Sequence, residues 1–173
     1  ESIDGYPDGK FRPNKNITRA EFIALAFKTI KPESIETSKS DKHWATPYFE
    51  AALNNGVLIE SEISINTWND PITRYEMSKI VVRLSEKIFK EDSISVEGIE
   101  KQIKDYKKIE KSNFSYYVKQ AFAKGIITGK NSEVFFAGKE NATRAQAVTV
   151  IIRLIDLNER VPYIKSKNIN YIN

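Results

Sequence analysis

Three arginines follow a threonine in a phrase that returns along the chain: Thr18-Arg19-Ala20-Glu21, Thr73-Arg74-Tyr75-Glu76 and Thr143-Arg144-Ala145-Gln146. Each guanidinium falls on the first position of an expected helix. The partial positive charge of a helix amino end disfavours a cation there, so a recurrence in register points to a use. Two uses fit the chemistry. The guanidinium joins the helix N-terminus in holding an anion, or it braces a neighbouring segment through a carboxylate or a carbonyl. The residues alone leave both open.

Other chemistry is sparse. His43 is the sole histidine and cysteine is absent, which rules out multi-histidine metal sites, thiolate zinc and a thiol nucleophile. Beside Trp44, His43 reads as a packing or capping residue. Trp44 is either a core anchor or a platform against which a sugar ring stacks. Asp4-Gly5-Tyr6-Pro7-Asp8-Gly9 invites comparison with a calcium loop, but Tyr6 and Lys15 stand where oxygen ligands are required. Pro7-Asp8-Gly9 reads instead as a tight turn. Carboxylates are plentiful, yet none sits in an apolar context that would raise its pKa for acid catalysis. Neither catalysis, a metal nor a cofactor is expected.

The elements that position these groups follow from the same phrase. Each copy is a capping box, in which Thr accepts from the backbone three residues on and Glu or Gln reaches back. Ile17 with Phe22, Ile72 with Met77, and Ala142 with Ala147 supply hydrophobic staples. Apolar spacing predicts helices over 18–30, 46–55, 73–89, 114–124 and 143–156. The three capped helices are the most apolar and should share a core, with the other two packed outside. Gly56 and Gly125 stand where left-handed C-caps belong. Residues 90–111 form a polar connector with a short helix expected at 97–104. A helix start repeated three times marks an internal repeat.

The string from Gly5 to Phe22, GYPDGKFRPNKNITRAEF, resembles the signature of the S-layer homology module, a cell-wall anchor of bacterial surface proteins. His43-Trp44-Ala45 and the segment ending Asn55-Gly56-Val57-Leu58 resemble a second family element. Residues 121–129 are its counterpart before the third phrase, with Ser112-Asn113-Phe114 near the place of His-Trp-Ala. The second repeat lacks the Gly-Tyr-Pro-Asp-Gly turn, and Trp68 is a candidate for the place of Phe11. The third keeps a leading Gly129 and a Phe but loses Pro and Asp.

The resemblance implies an all-α, pseudo-threefold domain of helix-loop-helix repeats around a central three-helix core. Repeat one spans 1–35, with its first helix missing, repeat two 36–95 and repeat three 96–159. A tail covers 160–173, and all form one compact domain. Helix 18–30 is then expected to lack an outer partner, and the tail, a neighbouring molecule or a swapped element is expected to cover the apolar surface around Phe22, Ala26 and Phe27. The implied function is non-catalytic anchoring of a larger surface protein through an anionic secondary cell-wall polysaccharide, often pyruvylated, in grooves between repeats. Arg19, Arg74 and Arg144 are the expected anion contacts, with Trp44, Tyr6, Asp8 and Lys10 as sugar contacts carried over from the family's motif positions. The implied place is the extracellular wall or S-layer of a bacterium. The rival reading is a structural array that assembles protein against protein, with the arginines as inter-repeat braces.

Composition agrees with a modest domain. The 173 residues, 40% hydrophobic, can bury one core, and 27 Lys and Arg against 23 Asp and Glu leave a net charge of +4. That excess is spread along the chain. It suits an anionic polymer and falls short of the clustered basic stripe of a nucleic-acid binder. Nothing approaches the roughly 18 consecutive apolar residues of a membrane span. No charged-then-apolar leader opens the sequence, so a secretion signal, if the protein is exported, would lie outside these residues.

Overall fold

The computed structural model describes residues 8–35, 43–130 and 132–161. Six α-helices run in chain order: α1 Arg19–Ile30, α2 Thr46–Asn54, α3 Arg74–Lys87, α4 Tyr106–Glu110, α5 Ser115–Ala123 and α6 Arg144–Ile155. Among the described residues there is no strand, only isolated bridges, so the domain is all-α. The five expected helices are present within two residues at each end. The connector departs from expectation: a 3-10 turn at Ile99–Lys101 and the short α4 replace a helix at 97–104. Gly98 at φ +79° starts that turn, and Ile99, Ile103 and Ile109 bury themselves in the core.

All three capping boxes form in full at Thr18, Thr73 and Thr143. Both members of every staple pair are fully buried. Just ahead of the caps the backbones meet in a closed ring. Ile17 N–H donates to Ala142 O at 3.0 Å, Ala142 N–H to Ile72 O at 2.8 Å, and Ile72 N–H to Ile17 O at 3.0 Å. The ring solves a common problem of helix starts. The free N–H groups of the first turn need acceptors, and each helix finds them on the preceding loop of another repeat. Arg19 and Ala20 donate to Asp70 O and Trp68 O, Arg74 and Tyr75 to Glu140 O and Gly138 O, and Arg144 and Ala145 to Lys15 O and Pro13 O.

These pairings fix the register of the loops. Pro13, Trp68 and Gly138 are equivalent, so Trp68 does not stand in the place of Phe11; Phe136 does. The loops of repeats one and three share a left-handed residue just before that point, Arg12 at φ +52° and Ala137 at φ +55°. Side-chain volume is exchanged between the equivalent sites. Tyr75 fills the space above Gly138, where a Cβ would lie 1.9 Å from its ring, whereas at the equivalent pairing Ala20 is small and the bulky ring is that of Trp68, stacked on Phe49.

Helix α2 packs on α1, and α5 packs on α3. The short helix of each repeat therefore covers the long helix of the repeat before it. This corrects the expectation about helix 18–30: Phe22, Ala26 and Phe27 are fully buried. Gly56 (φ +67°) and Gly125 (φ +71°) end α2 and α5 in the left-handed conformation, as read from sequence.

Candidate functional site

The arginines of the repeated phrase lie at the joints between repeats. Arg19 donates to Glu76 through Nε and Nη2, at 2.9 and 2.7 Å, and to Thr67 O at 3.1 Å. Arg144 donates to Phe11 O at 3.0 Å and faces Glu21 at 3.4 Å, with its guanidinium over the Phe11 ring. Glu76 and Glu21 are the capping carboxylates of the next repeat around the ring. Arg74 differs. It donates to Phe136 O and Thr128 O, both at 2.7 Å, and lies over the Phe136 ring. Its place around the ring is opposite Gln146, an amide where the other two repeats carry a carboxylate. Among the described residues Arg74 forms no salt bridge. Burial pulls its guanidinium down to about 10, against the opposing pull of Glu140 and Asp105.

Two hollows flank this joint, and the third repeat's loop lines both. The smaller, about 260 Å³, is lined by Arg74, Thr128, Lys130, Gln146 and Arg153 among others. The larger, about 690 Å³, has Tyr75 and Phe135 as aromatic walls, with Lys108, Lys111 and Lys139 around them. Asp105 shapes its floor by accepting from the backbone N–H groups of Phe136 at 2.8 Å and Ala137 at 3.0 Å. Tyr75 is held by stacking on Phe114, ring centroids 5.1 Å apart and nearly parallel. A cleft with this lining offers fixed cations, hydrogen-bonding groups and an aromatic face, which together can hold an anionic sugar.

The remaining expected contacts are scattered. Trp44 is exposed at 41%, edge-on to Tyr48 and beside His43. His43 caps: its Nδ1 accepts from Ala45 N–H at 3.1 Å, and its Nε2 meets Asn69 Oδ1 at 3.1 Å. Ser112 repeats that cap with its hydroxyl to Phe114 N–H, so Asn113 is the counterpart of Trp44 and lines the larger hollow. Asp8 and Lys10 lie in an exposed turn, where Asp8 accepts from Arg12 and from Lys10 N–H. The Arg12 guanidinium holds the Asp8 carboxyl below its usual range. Tyr6 lies outside the described residues. Sequence reading passed over Tyr75, Lys108, Lys111 and Lys139. Tyr75 had a signal, as the one bulky residue among Ala20, Tyr75 and Ala145; the lysines had none, because only the fold brings the connector against the 135–140 loop.

No group of carboxylates and histidines suited to a metal ion occurs among the described residues, and no described helix is long and apolar enough to cross a membrane.

Comparison with known proteins agrees with the repeats. The S-layer homology domain matches over residues 1–23 and 102–148. An amylopullulanase of Thermoanaerobacterium thermosulfurigenes is 34% identical over 163 residues, 89% of this chain and 8% of that protein. Exoglucanase XynX of Acetivibrio thermocellus is 36% identical, over 89% of this chain and 14% of its own length. A cellulosome-anchoring protein of Acetivibrio thermocellus is 26% identical, over 98% of this chain and 39% of its own. The chain thus spans less than half of each of these relatives. With the repeated capping phrase, the ring and the domain match in agreement, the chain carries S-layer homology domain sequence over residues 1–23 and 102–148.

Proposed function

We propose that this domain is a non-catalytic anchor that holds a larger surface protein on a bacterial envelope by binding an anionic secondary cell-wall polysaccharide. The observation that carries the reading is the joint at Arg74. Two of the three arginines have their charge met by a capping carboxylate, whereas Arg74 faces Gln146 in a cleft that Lys130 and Arg153 also line. A carboxylate on a sugar, such as a pyruvate ketal, completes that joint as Glu76 and Glu21 complete the others. The larger hollow beside Tyr75 then takes the sugar ring, and the exposed Trp44 offers a stacking face at the preceding joint. The cellulosome-anchoring relative and the carbohydrase relatives, which this chain matches over a small share of their length, support an anchoring module separate from catalysis. The ring supports three repeats, 1–35, 36–95 and 96–159, in pseudo-threefold order with a tail at 160–173.

A second reading, protein-to-protein assembly with the arginines as braces, draws on Arg19 and Arg144, which clasp the neighbouring repeat. Binding of purified wall glycans, with and without pyruvate ketals, decides between them. The ketal-bearing polymer should bind, and Arg74→Ala should weaken it about tenfold or more, the loss of one charge-assisted hydrogen bond at roughly 1.5–3 kcal/mol. Equal affinity for the folded Arg74→Ala variant, or no binding by the parent, would reject the anchor reading at this joint.

A further inference from the structure

The loop of the third repeat carries a residue that its backbone conformation does not suit. Val134 has φ +58°, in the left-handed region where a β-branched side chain is strained. Counting back two places from the equivalent Phe11 and Phe136 pairs Val134 with Gly9, which is left-handed at φ +73°. Glycine takes that conformation freely, and a Cβ at Gly9 would meet nothing within 4 Å. The third repeat thus holds a strained valine where the first has an unstrained glycine. Strain of this kind persists only when the surroundings over-determine it, and it gathers at functional sites.

The neighbours of Val134 do over-determine it. Its carbonyl accepts from Lys104 N–H at 3.2 Å, and Phe135 O accepts from Lys130 N–H at 2.9 Å. Asp105 takes the next two N–H groups, of Phe136 and Ala137. The valine side chain lies against Gly129, where a Cβ would stand 2.6 Å from Val134 Cα and 2.8 Å from its Cγ1. That contact joins two stretches of chain that serve one side chain. Thr128 O, beside Gly129, accepts from Arg74 Nη2, and Phe136 O, two places after Val134, accepts from Arg74 Nε, both at 2.7 Å. Phe135, next to Val134, walls the larger hollow.

We propose that Val134 is a positioning residue for the acidic wall sugar, an inference that rests on the anchor reading of the Arg74 joint. By clamping Gly129 it fixes the spacing of the two carbonyls that aim the Arg74 guanidinium, and it sets Phe135 against the sugar ring. Stability is given up at Val134, and the site gains an arginine already in place when the ligand's carboxylate arrives. A glycine would relax the turn and loosen the carbonyl pair together. Arg144, whose charge Glu21 meets, has that glycine in its loop.

Val134→Gly, Val134→Ile and Arg74→Ala are compared with the parent in thermal melts and in titrations with ketal-bearing wall glycan. Val134→Gly should raise the Tm by about 2 °C and yet weaken glycan binding about fivefold. Val134→Ile keeps the branched side chain and should keep the affinity within about twofold. A Val134→Gly protein that melts higher and binds as tightly as the parent overturns the proposal. So does one that melts lower, because the valine is then not strained. If Arg74→Ala weakens binding and Val134→Gly does not, the anchor reading stands and this proposal falls; if the parent binds no glycan, both fall.

Discussion

Arg19 Nη2 donates to Glu76 Oε1 at 2.7 Å, while the other oxygen of the same carboxylate accepts from Thr73 N–H at 2.8 Å. One side chain thus caps its own helix and clasps the arginine of the repeat before it. The repeats are joined through the groups that start their helices, which makes capping and assembly one event.

Replacing Arg19 with Ala should therefore act on stability. It strips a charged partner from Glu76 and a donor from Thr67 O, at a cost of about 1–3 kcal/mol. A thermal melt should show a Tm lower by several degrees. Arg19→Lys should recover little of it, because an ammonium cannot present two parallel donors to the carboxylate.

Gln146→Glu supplies the carboxylate that the joint at Arg74 lacks. The variant should melt higher, by roughly 2–4 °C for about 1 kcal/mol gained, and should bind a ketal-bearing wall glycan about tenfold more weakly. Stability and binding moving in opposite directions is the signature. A variant that is stabilised with its glycan affinity intact would show that the sugar's anion sits elsewhere.

Gly138→Ala should disturb the larger hollow. The added Cβ meets the Tyr75 ring at 1.9 Å, and a displacement of this kind costs about 1–3 kcal/mol. Tyr75→Ala in the same chain should relieve the clash, so the double variant loses less than the sum of the two single losses. Chemical denaturation of the four proteins measures the coupling.

Acid should loosen the end of the domain. Burial alone would raise the Glu91 carboxyl, but the Arg160 fork at 2.6 and 2.9 Å and Lys124 at 3.1 Å outweigh it and hold Glu91 at about 2. Because the folded value lies below the usual carboxylate value, its stabilisation is present in full above about pH 4.5 and is lost as pH falls through about 2. The amount is at most about 3 kcal/mol. Glu91→Gln should lower the Tm at pH 7 and flatten the fall of Tm below pH 4.5 relative to the parent.

The helices and their caps were legible in the sequence because they rest on local chemistry: Thr18 and Glu21 sit within one turn of each other, and the stripe after them has a helical period. The register of the loops was less so. Trp68 looked like an equivalent of Phe11 by aromatic type, yet backbone pairing to Ala20 N–H puts it two places further on, against Pro13 and Gly138. Which long helix each short helix covers was misread for a similar reason. Chain order suggests that a short helix packs on the long helix after it, whereas contacts around the ring place it on the one before. For the candidate site, the arginines were visible in the repeated phrase. The lysines were not, since Lys108 and Lys139 converge only when the connector folds back.

The ring of backbone hydrogen bonds among Ile17, Ile72 and Ala142 also sets a schedule for synthesis. The bond from Arg144 to Phe11 O spans 133 residues, so the first loop has no partner for α6 until the third repeat has emerged. At about 5–20 residues per second the first repeat waits roughly 7–27 s on the ribosome with Ile17 and its neighbours uncovered. A chain cut after the second repeat never ends that wait, and its exposed helix starts are what a chaperone or protease would meet.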